Sequence, residues 1–311
     1  MSNRFWLGGE NDGGGGREND GGGRAAGPFG PEPFNPGPLP GWDSIFDGDW
    51  HAVVFGARFP EDGWDPAMEI DRIALAFSCR DWKTKADPGP PPGHFEPGAS
   101  DEQKAAAEKA LMEDVKELLL LKEENFDEGE IIYQANDILS YFMKLGSCSA
   151  QVRPITYFLL VLSLRVGQIV ARYYKGRYMR ARPVQVVPSL DTVIATPRHP
   201  SYPSGHALQA RLMAKVLTEV ASALGAQART LANNITLNRE RAGVHFRSDS
   251  AASEKIADKI WKVLTNMKEF NDKIQKARKT EYSGVVSKLP KAVTDEILKF
   301  REDAQAAAQR A

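Results

Sequence analysis

Apolar residues recur every three or four positions through most of the chain after residue 100. One clear run places Leu208, Leu212, Val216 and Val220 on a single face. This spacing matches the 3.6-residue turn of an α-helix, so it predicts amphipathic helices that bury one side. We therefore expect an all-α fold, a helical bundle of roughly six helices or more. The predicted helices cover about 101–122, 131–145, 154–182, 204–224, 226–238, 249–277 and 294–309.

Residues with strong positional preferences support several of these boundaries. Ser100 and Gln103 form a capping-box pattern, in which a side chain and a backbone amide at a helix start bond reciprocally. Gly146 suits the position just after a helix ends. Pro154 is compatible with a first turn, whereas Pro183 stops a helix. We expect the active site to lie at the ends of such helices within the bundle.

The first hundred residues have a different composition. Residues 1–40 are rich in Gly and Pro and contain the hexapeptide ENDGGG twice. Because such a segment buries little apolar surface, we expect it to be disordered. The Trp- and Pro-rich stretch 41–100 is interpreted as irregular structure packed on the core, with a strand at His51–Phe55. Residues 101–280 would then form the helical catalytic domain, and 281–311 a C-terminal helical extension.

Composition and charge exclude some classes of protein. The 311 residues carry 40 Lys and Arg against 41 Asp and Glu, a net charge of −1, which gives no electrostatic reason to expect a nucleic-acid partner. We see no signal peptide, and the most apolar run, Ile155–Val170, is interrupted by Arg165 and is shorter than the ~20 residues that span a bilayer. We therefore expect a buried core helix there, no transmembrane segment, and a soluble, cytoplasmic protein. The oligomeric state stays open.

The first of three polar blocks carries cations. Lys175 and Arg182 are seven residues apart, directly before Pro183. On a helix, this spacing would put both side chains on one face, where they could converge on one anion. A guanidinium offers a planar fork to phosphate oxygens, and an ammonium a compact charge. The alternative is a solvated basic stretch, since Arg177 and Arg180 lie between them.

The second block, HPSYPSGH at positions 199–206, comes directly before a strongly periodic helix. The free N–H groups of a helix start bind anions. Ser204 can add its hydroxyl, and Gly205 lets the backbone approach closely. His206 would then project from the first turn and could transfer a proton to a leaving oxygen. The alternative is a turn that caps the helix, with His206 merely packed.

The third block places Arg239 six residues before His245, and Asp249 four residues after it. On a helix, residues four apart share a face. A carboxylate bonded to one imidazole nitrogen fixes the tautomer and leaves the other nitrogen available as a nucleophile. Arg239 would supply a third cation. The alternative is an Asp that caps a helix beside a surface His.

Taken together, Lys-x6-Arg-Pro, Pro-Ser-Gly-His and Arg-x5-His-x3-Asp have a chance probability on the order of 10⁻⁸. In these motifs the chain resembles a superfamily over about residues 155–265: the type 2 phosphatidic acid phosphatases, the bacterial non-specific acid phosphatases and the vanadium haloperoxidases. The resemblance implies a phosphohistidine on His245, oriented by Asp249, with His206 as general acid and base. It also implies that Lys175, Arg182, Ser204, Gly205 and Arg239 bind the phosphate of a small phosphorylated substrate.

Two further functions stay open. A vanadium-dependent haloperoxidase would use the same anion site, with vanadate as its cofactor. The 32 residues between His206 and Arg239 are few, and this compact spacing resembles phosphatases more than haloperoxidases. The favoured interpretation is a phosphoric monoester hydrolase, like an acid phosphatase, with no cofactor and no metal. A non-enzymatic anion-binding scaffold is the third possibility.

Asn238 departs from the small residue usual in the superfamily, which raises a question of local packing.

Overall fold

The structure is a computed structural model that describes residues 65–283. Its described secondary structure is helical, which confirms the all-α prediction. The α-helices are α1 (Pro66–Ser78), α2 (Asp101–Lys122), α3 (Glu128–Asn136), α4 (Leu139–Gly146), α5 (Pro154–Tyr178), α6 (Pro183–Val186), α7 (Gly205–Val220), α8 (Gly225–Arg241), α9 (Arg247–Thr265) and α10 (Lys268–Thr280). The predictions for residues 1–40, for a strand at His51–Phe55 and for a helix at 294–309 lie outside the described residues.

Helix α7 lies at the centre of the bundle and packs against α5, α8 and α9. Its buried residues include the predicted stripe Leu208, Leu212 and Val216. Helices α5 and α7 cross so closely that a Cβ added at Gly167 would lie 2.8 Å from the side chain of Gln209. This crossing places the C-terminal end of α5 beside the N-terminal end of α7, where the second polar block lies.

Helices α2 and α3 pack around this central group. Both contact α8, and α2 also contacts α9. The start of α2 forms the predicted capping box: the amide of Gln103 donates to Ser100 Oγ at 3.3 Å, and the amide of Ser100 donates to Gln103 Oε1 at 2.9 Å. Burial in α2 is confined to a narrow stripe that contains Asp114, Val115 and Leu118. One buried residue in this stripe is therefore a carboxylate.

The prediction of no transmembrane segment is wrong. The 33-residue stretch Pro154–Val186 is long and apolar enough, by length and composition, to cross a membrane, with a mean hydropathy of 1.6 in its best window. The sequence interpretation ended the apolar run at Val170, whereas α5 continues without a break to Tyr178. Within the protein, 61% of that window is buried, as expected of a core helix. A cytoplasmic location stays a prediction.

Two predicted helices are each divided in two. The predicted helix 131–145 breaks at Asp137, whose carboxylate accepts a hydrogen bond from the amide of Ser140 at 3.0 Å and so starts α4. Gly146 is the last residue of α4 rather than the residue after it, and Ser147 takes the left-handed conformation instead, with φ 47°. A Cβ on Gly146 would lie 3.0 Å from Leu217, which explains the glycine there. The predicted helix 249–277 similarly ends at Thr265 and resumes at Lys268.

Residues 65–100 contain a helix that the sequence interpretation did not anticipate. Helix α1 is capped by Asp65, whose carboxylate accepts from the amides of Ala67 and Met68. It packs on α5. The loop after it buries Trp82, which stacks on Phe77 with a centroid separation of 5.5 Å. The described end of the Trp-rich segment is therefore fixed to the core by aromatic packing.

Candidate functional site

Lys175 and Arg182 do not share a helix face, so that part of the prediction is wrong. Helix α5 ends at Tyr178, Met179 takes a left-handed conformation with φ 46°, and Arg182 follows in extended backbone. The chain folds back, and both cations nevertheless reach the same loop. Lys175 Nζ donates to the carbonyl oxygens of Pro200 at 2.6 Å and Ser201 at 2.8 Å. This contact brings the first polar block to the second.

Arg182 is buried and its guanidinium is almost fully used. Nε donates to the carbonyl of His199 at 2.9 Å, and Nη2 lies 2.9 Å from Nδ1 of the same residue. Nη1 donates to the carbonyl of Val244 at 2.7 Å and lies 3.2 Å from His245 Nε2. Arg182 therefore joins the loop before α7 to the segment before α9. His199 was not predicted as a site residue, although it opens the second block.

His245 and Asp249 form a buried pair. His245 Nδ1 lies 3.0 Å from Asp249 Oδ2. His245 precedes α9 rather than lying on it, and the carboxylate reaches back across the first turn to accept from the amide of Phe246 at 3.0 Å. Ser201 Oγ also donates to Asp249 Oδ2. With Nδ1–H donated to the carboxylate, His245 Nε2 carries the lone pair, which accepts from Arg182.

The electrostatics of this pair favour a neutral imidazole and a charged carboxylate. Burial lowers the pKa of His245 well below its usual value, and the guanidinium of Arg182 lowers it further, while Asp249 opposes both. Burial would raise the pKa of Asp249, but the hydrogen bond from His245 and the charge of Arg180 outweigh it and hold that pKa below its usual range. His245 is therefore an uncharged base beside an ionised partner.

Arg180 is a residue that the sequence interpretation missed. It was named only as part of a possible solvated basic stretch, whereas its side chain is buried and paired with two carboxylates, Asp249 at 2.6 Å and Asp114 at 2.7 Å. Arg180 is not solvated because α5 ends at Tyr178, and the chain then turns this side chain into the protein. Asp114 lies in the preceding α2, and no spacing within the third block points to it.

Ser204 and Gly205 begin the central helix. Ser204 occupies the N-cap position of α7 but makes no capping hydrogen bond with its side chain. Its Oγ is buried and has no hydrogen-bond partner among the described residues. The Ser204 amide donates to the carbonyl of Asp249 at 3.2 Å, which fixes this turn against α9. The helix start therefore presents an unpaired hydroxyl beside the free N–H groups of its first turn, which is not the arrangement of a simple cap.

His206 and Arg239 lie on the α3 side of the site. His206 Nε2 lies 3.2 Å from the carbonyl oxygen of Ala135, and Arg239 Nη2 donates to that of Ile131 at 2.7 Å. Burial lowers the pKa of His206 to about 3, with the charge of Arg239 as the next cause. Burial also lowers the pKa of Arg239 to about 10. The Nε of Arg239 is buried and has no partner in the part of the chain that the structure describes.

The three blocks thus meet at one place, but not all of the side chains touch. Lys175, Arg182, Ser204, His245 and Asp249 are linked by hydrogen bonds through the loop 199–204. Within residues 65–283, His206 makes no hydrogen bond to any other predicted site residue. Asn238 is buried and donates to Gln134 Oε1 at 3.0 Å, so α3 accommodates the departure from a small residue.

Comparison with known proteins identifies the segment that carries these residues. Residues 156–271 match the PAP2 superfamily. This segment belongs to the PAP2 superfamily. The match spans α5 to the start of α10 and includes all eight predicted site residues. Helices α2 and α3, which contribute Asp114 and the carbonyls of Ile131 and Ala135, lie before the PAP2 segment.

Two solved structures resemble the fold of this chain. A bacterial vanadium-dependent iodoperoxidase is 16% identical with a TM-score of 0.44, over 60% of this chain and 54% of that protein. This chain therefore spans about half the length of the iodoperoxidase. A transmembrane PAP2-type phosphatidylglycerolphosphate phosphatase from Bacillus subtilis is 16% identical with a TM-score of 0.31, over 67% of this chain and 96% of that protein. No curated protein matches the sequence significantly.

Proposed function

We propose that this chain is a phosphatase that hydrolyses phosphate monoesters through a phosphohistidine on His245. The observation that carries the proposal is the buried pair of His245 and Asp249, joined at 3.0 Å through Nδ1. A neutral imidazole held in this tautomer presents a lone pair on Nε2, which is what a nitrogen nucleophile needs. Around it lie cations and helix N–H groups that suit a phosphoryl group.

In the first chemical step, His245 Nε2 attacks phosphorus and the bond from phosphorus to the ester oxygen breaks. The departing oxygen takes a proton from His206. In the second step, His206 removes a proton from water, the resulting hydroxide attacks phosphorus, and the bond between phosphorus and nitrogen breaks to release inorganic phosphate. A phosphate dianion beside His206 would raise its pKa from about 3, because a neighbouring negative charge favours the imidazolium form.

The cationic residues would bind the phosphoryl oxygens. Lys175 uses two of its three donors on loop carbonyls, and Arg182 uses one N–H on His245 Nε2. For His245 to attack, Arg182 must move this donor from Nε2 to a phosphate oxygen. Ser204 Oγ and Arg239 Nε are buried donors without partners among the described residues, and an incoming oxyanion would satisfy both.

The same two unpartnered donors also suit vanadate, because vanadate presents similar oxygens. In that alternative, Lys175, Arg182, Ser204, Gly205 and Arg239 would hold the vanadate oxygens, and His245 would bind the vanadium. Vanadate, when bound, supplies activation of hydrogen peroxide for halide oxidation. Among the described residues, no group of three or more His, Cys, Asp and Glu side chains is placed to hold a metal cation.

Two assays on the purified full chain test the proposal. The first follows hydrolysis of an aryl phosphate, with and without orthovanadate and with and without EDTA. The second follows bromide and iodide oxidation after loading with vanadate and adding peroxide. We expect hydrolysis that vanadate inhibits competitively and that survives EDTA. Halide oxidation without hydrolysis would instead support the haloperoxidase, and loss of hydrolysis on chelation would contradict a mechanism carried by side chains alone.

A further inference from the structure

Arg180 bridges two carboxylates that come from different parts of the chain. Its Nη1 donates to Asp249 Oδ1 at 2.6 Å and to Ser248 Oγ at 2.7 Å, and its Nη2 donates to Asp114 Oδ2 at 2.7 Å. The guanidinium also lies over the ring of Phe246, with Cζ 4.3 Å from the centroid. The side chain is 5% exposed. Its position is therefore fixed on both edges and on one face.

Asp114 is held as firmly as the arginine. Its Oδ1 accepts from the amide of Ser248 at 3.2 Å, and its Oδ2 accepts from Ser248 Oγ. These bonds attach α2 to the first turn of α9, one residue before Asp249. Asp114 lies outside the PAP2 segment, which begins at residue 156. A helix that precedes the superfamily match thus contributes directly to the surroundings of the His245–Asp249 pair.

The two oxygens of Asp249 have separate partners. Oδ2 accepts hydrogen bonds from His245, Ser201 and the amide of Phe246, whereas Oδ1 accepts one from Arg180. The charged and titratable groups that act on this pair are Lys175, Arg182 and Arg180 from the end of α5 and the segment after it, Tyr202 from the loop before α7, Glu240 from α8 and, through Arg180, Asp114 from α2.

This division of partners has a consequence for the imidazole. An isolated buried carboxylate attracts a proton onto the neighbouring imidazole, because opposite charges favour the imidazolium form. A guanidinium on the far oxygen balances part of that negative charge. Arg180 therefore weakens the pull of Asp249 on a second proton while leaving the hydrogen bond to Nδ1 in place. Asp114 in turn balances part of the charge on Arg180.

We propose that Arg180 and Asp114 are positioning residues for the phosphatase reaction: Asp114 holds Arg180 in place against Asp249, and Arg180 aligns Asp249 and keeps His245 uncharged so that Nε2 can attack phosphorus. This inference rests on the proposed function. Both side chains are buried among contacts within the protein, so we give neither of them a direct contact with the substrate. A purely structural bridge would hold α2 against α9 without any effect on the protonation of His245, so the protonation of His245 is the property to measure.

The first test compares pH profiles of kcat/KM for wild type, Arg180→Gln, Asp114→Asn and Arg177→Ala on one aryl phosphate. Arg177 is the matched control: it comes from the same basic stretch, its side chain is 51% exposed and it pairs with Asp87. We expect Arg180→Gln to lower kcat by about 10–100-fold. It should also move the acid limb to higher pH by about one unit, because His245 then binds a proton more readily. Asp114→Asn should move the acid limb to lower pH, because the positive charge of Arg180 is then balanced by Asp249 alone.

The second test measures the His245 pKa directly by NMR titration of the imidazole resonances in the same variants, with a His245→Gln variant for assignment. A higher pKa in Arg180→Gln supports the inference even if no phosphate ester is hydrolysed, so failure of the proposed function would be recognised separately. If Arg180→Gln leaves both the acid limb and the His245 pKa at the values of Arg177→Ala, the inference is overturned. If Arg180→Gln does not fold, the double variant Arg180→Gln/Asp114→Asn takes its place, because it removes one charge of each sign. The inference is then overturned if the acid limb and the His245 pKa of the double variant equal those of Arg177→Ala.

Discussion

The two sides of the candidate site are built differently. On one side, which we call the paired half, Arg182, His245 and Asp249 are joined by hydrogen bonds of 3.0–3.2 Å. On the other, which we call the open half, Ser204, His206 and Arg239 contact main-chain groups or have polar atoms without a partner within residues 65–283. A nucleophilic imidazole needs a fixed tautomer and orientation. Residues that bind an oxyanion instead need hydrogen-bond donors that are not already used within the protein. The contrast matches the roles proposed for the two halves.

The largest predicted effect falls in the paired half. Asp249→Asn keeps the shape of the side chain but removes the acceptor that fixes Nδ1–H, so the wrong tautomer of His245 becomes available. By comparison with known catalytic triads, kcat should fall by roughly 10⁴-fold. Because Arg180 then loses one carboxylate partner, unfolding free energy should fall by about 3–5 kcal/mol. Steady-state kinetics and urea unfolding measure both, and a loss of activity under tenfold would contradict the role given to Asp249.

The next prediction compares one arginine from each half. Arg182→Ala and Arg239→Ala should each lower kcat/KM by about 10²–10³-fold, since each removes donors from the developing charge. Arg182→Lys should stay clearly impaired, because an ammonium lacks the planar fork. Arg182→Ala should also be the more destabilising change, since Arg182 makes more hydrogen bonds than Arg239. Arg177→Ala is the control, and an equal fall in that variant would mean that the stretch is only a diffuse basic patch.

A third prediction concerns stability below neutral pH. His206 and His245 have folded-state pKa values below the ordinary 6.5, so at pH 5 the unfolded chain binds more protons than the folded one. Stability should therefore be greatest above pH 6.5 and fall with decreasing pH, by at most about 1.4 kcal/mol per unit for each histidine. For His206 the fall ends near its folded pKa of about 3. The free energy of unfolding, measured with denaturant at pH 5 and at pH 7, should differ less between the two pH values in His206→Gln than in wild type. An equal difference in both proteins would contradict the low pKa of His206.

The smallest predicted effect uses two buried serines as a matched pair. Ser201 donates to Asp249 in the paired half, whereas the hydroxyl of Ser204 has no partner in the described region. Ser201→Ala should lower the free energy of unfolding by about 1 kcal/mol, while Ser204→Ala should leave it nearly unchanged. Ser204→Ala should instead lower activity about tenfold, through the loss of a phosphate donor. If both variants lose stability equally, the Ser204 hydroxyl makes a hydrogen bond in the free protein, and the proposed difference between the two halves is wrong.

The sequence predicted local features of the site well. His245 and Asp249 were expected to be neighbours because they are four residues apart, and their side chains do meet, although across the N-terminal turn of α9 rather than along one helix face. The start of α7 was expected beside Ser204 because a periodic helix follows a Pro-Ser-Gly turn. Spacing within one turn is encoded in the chain itself, so such contacts do not depend on the rest of the fold.

Contacts between distant segments were not predictable in the same way. Lys175 and Arg182 reach one loop because the chain folds back after Met179, not because they share a helix. Arg180 looked like part of a solvated basic stretch, since nothing near it in sequence reveals that Asp114 faces it. The same holds for α3, whose carbonyl oxygens fix His206 and Arg239. These features depend on tertiary packing, which hydrophobic periodicity describes only as a buried face.

The central claim is that His245 forms the covalent intermediate, and trapping it is the most direct test. Wild type, His245→Ala and His206→Ala are mixed with an aryl phosphate that has a good leaving group, quenched, and analysed by mass spectrometry. Such a leaving group needs no proton, so His206→Ala should still become phosphorylated and should lose the phosphate slowly. The account predicts a phosphate on His245 in wild type and His206→Ala, and none in His245→Ala. A phosphoenzyme in His245→Ala, or a phosphate on a different residue of the wild type, would contradict it.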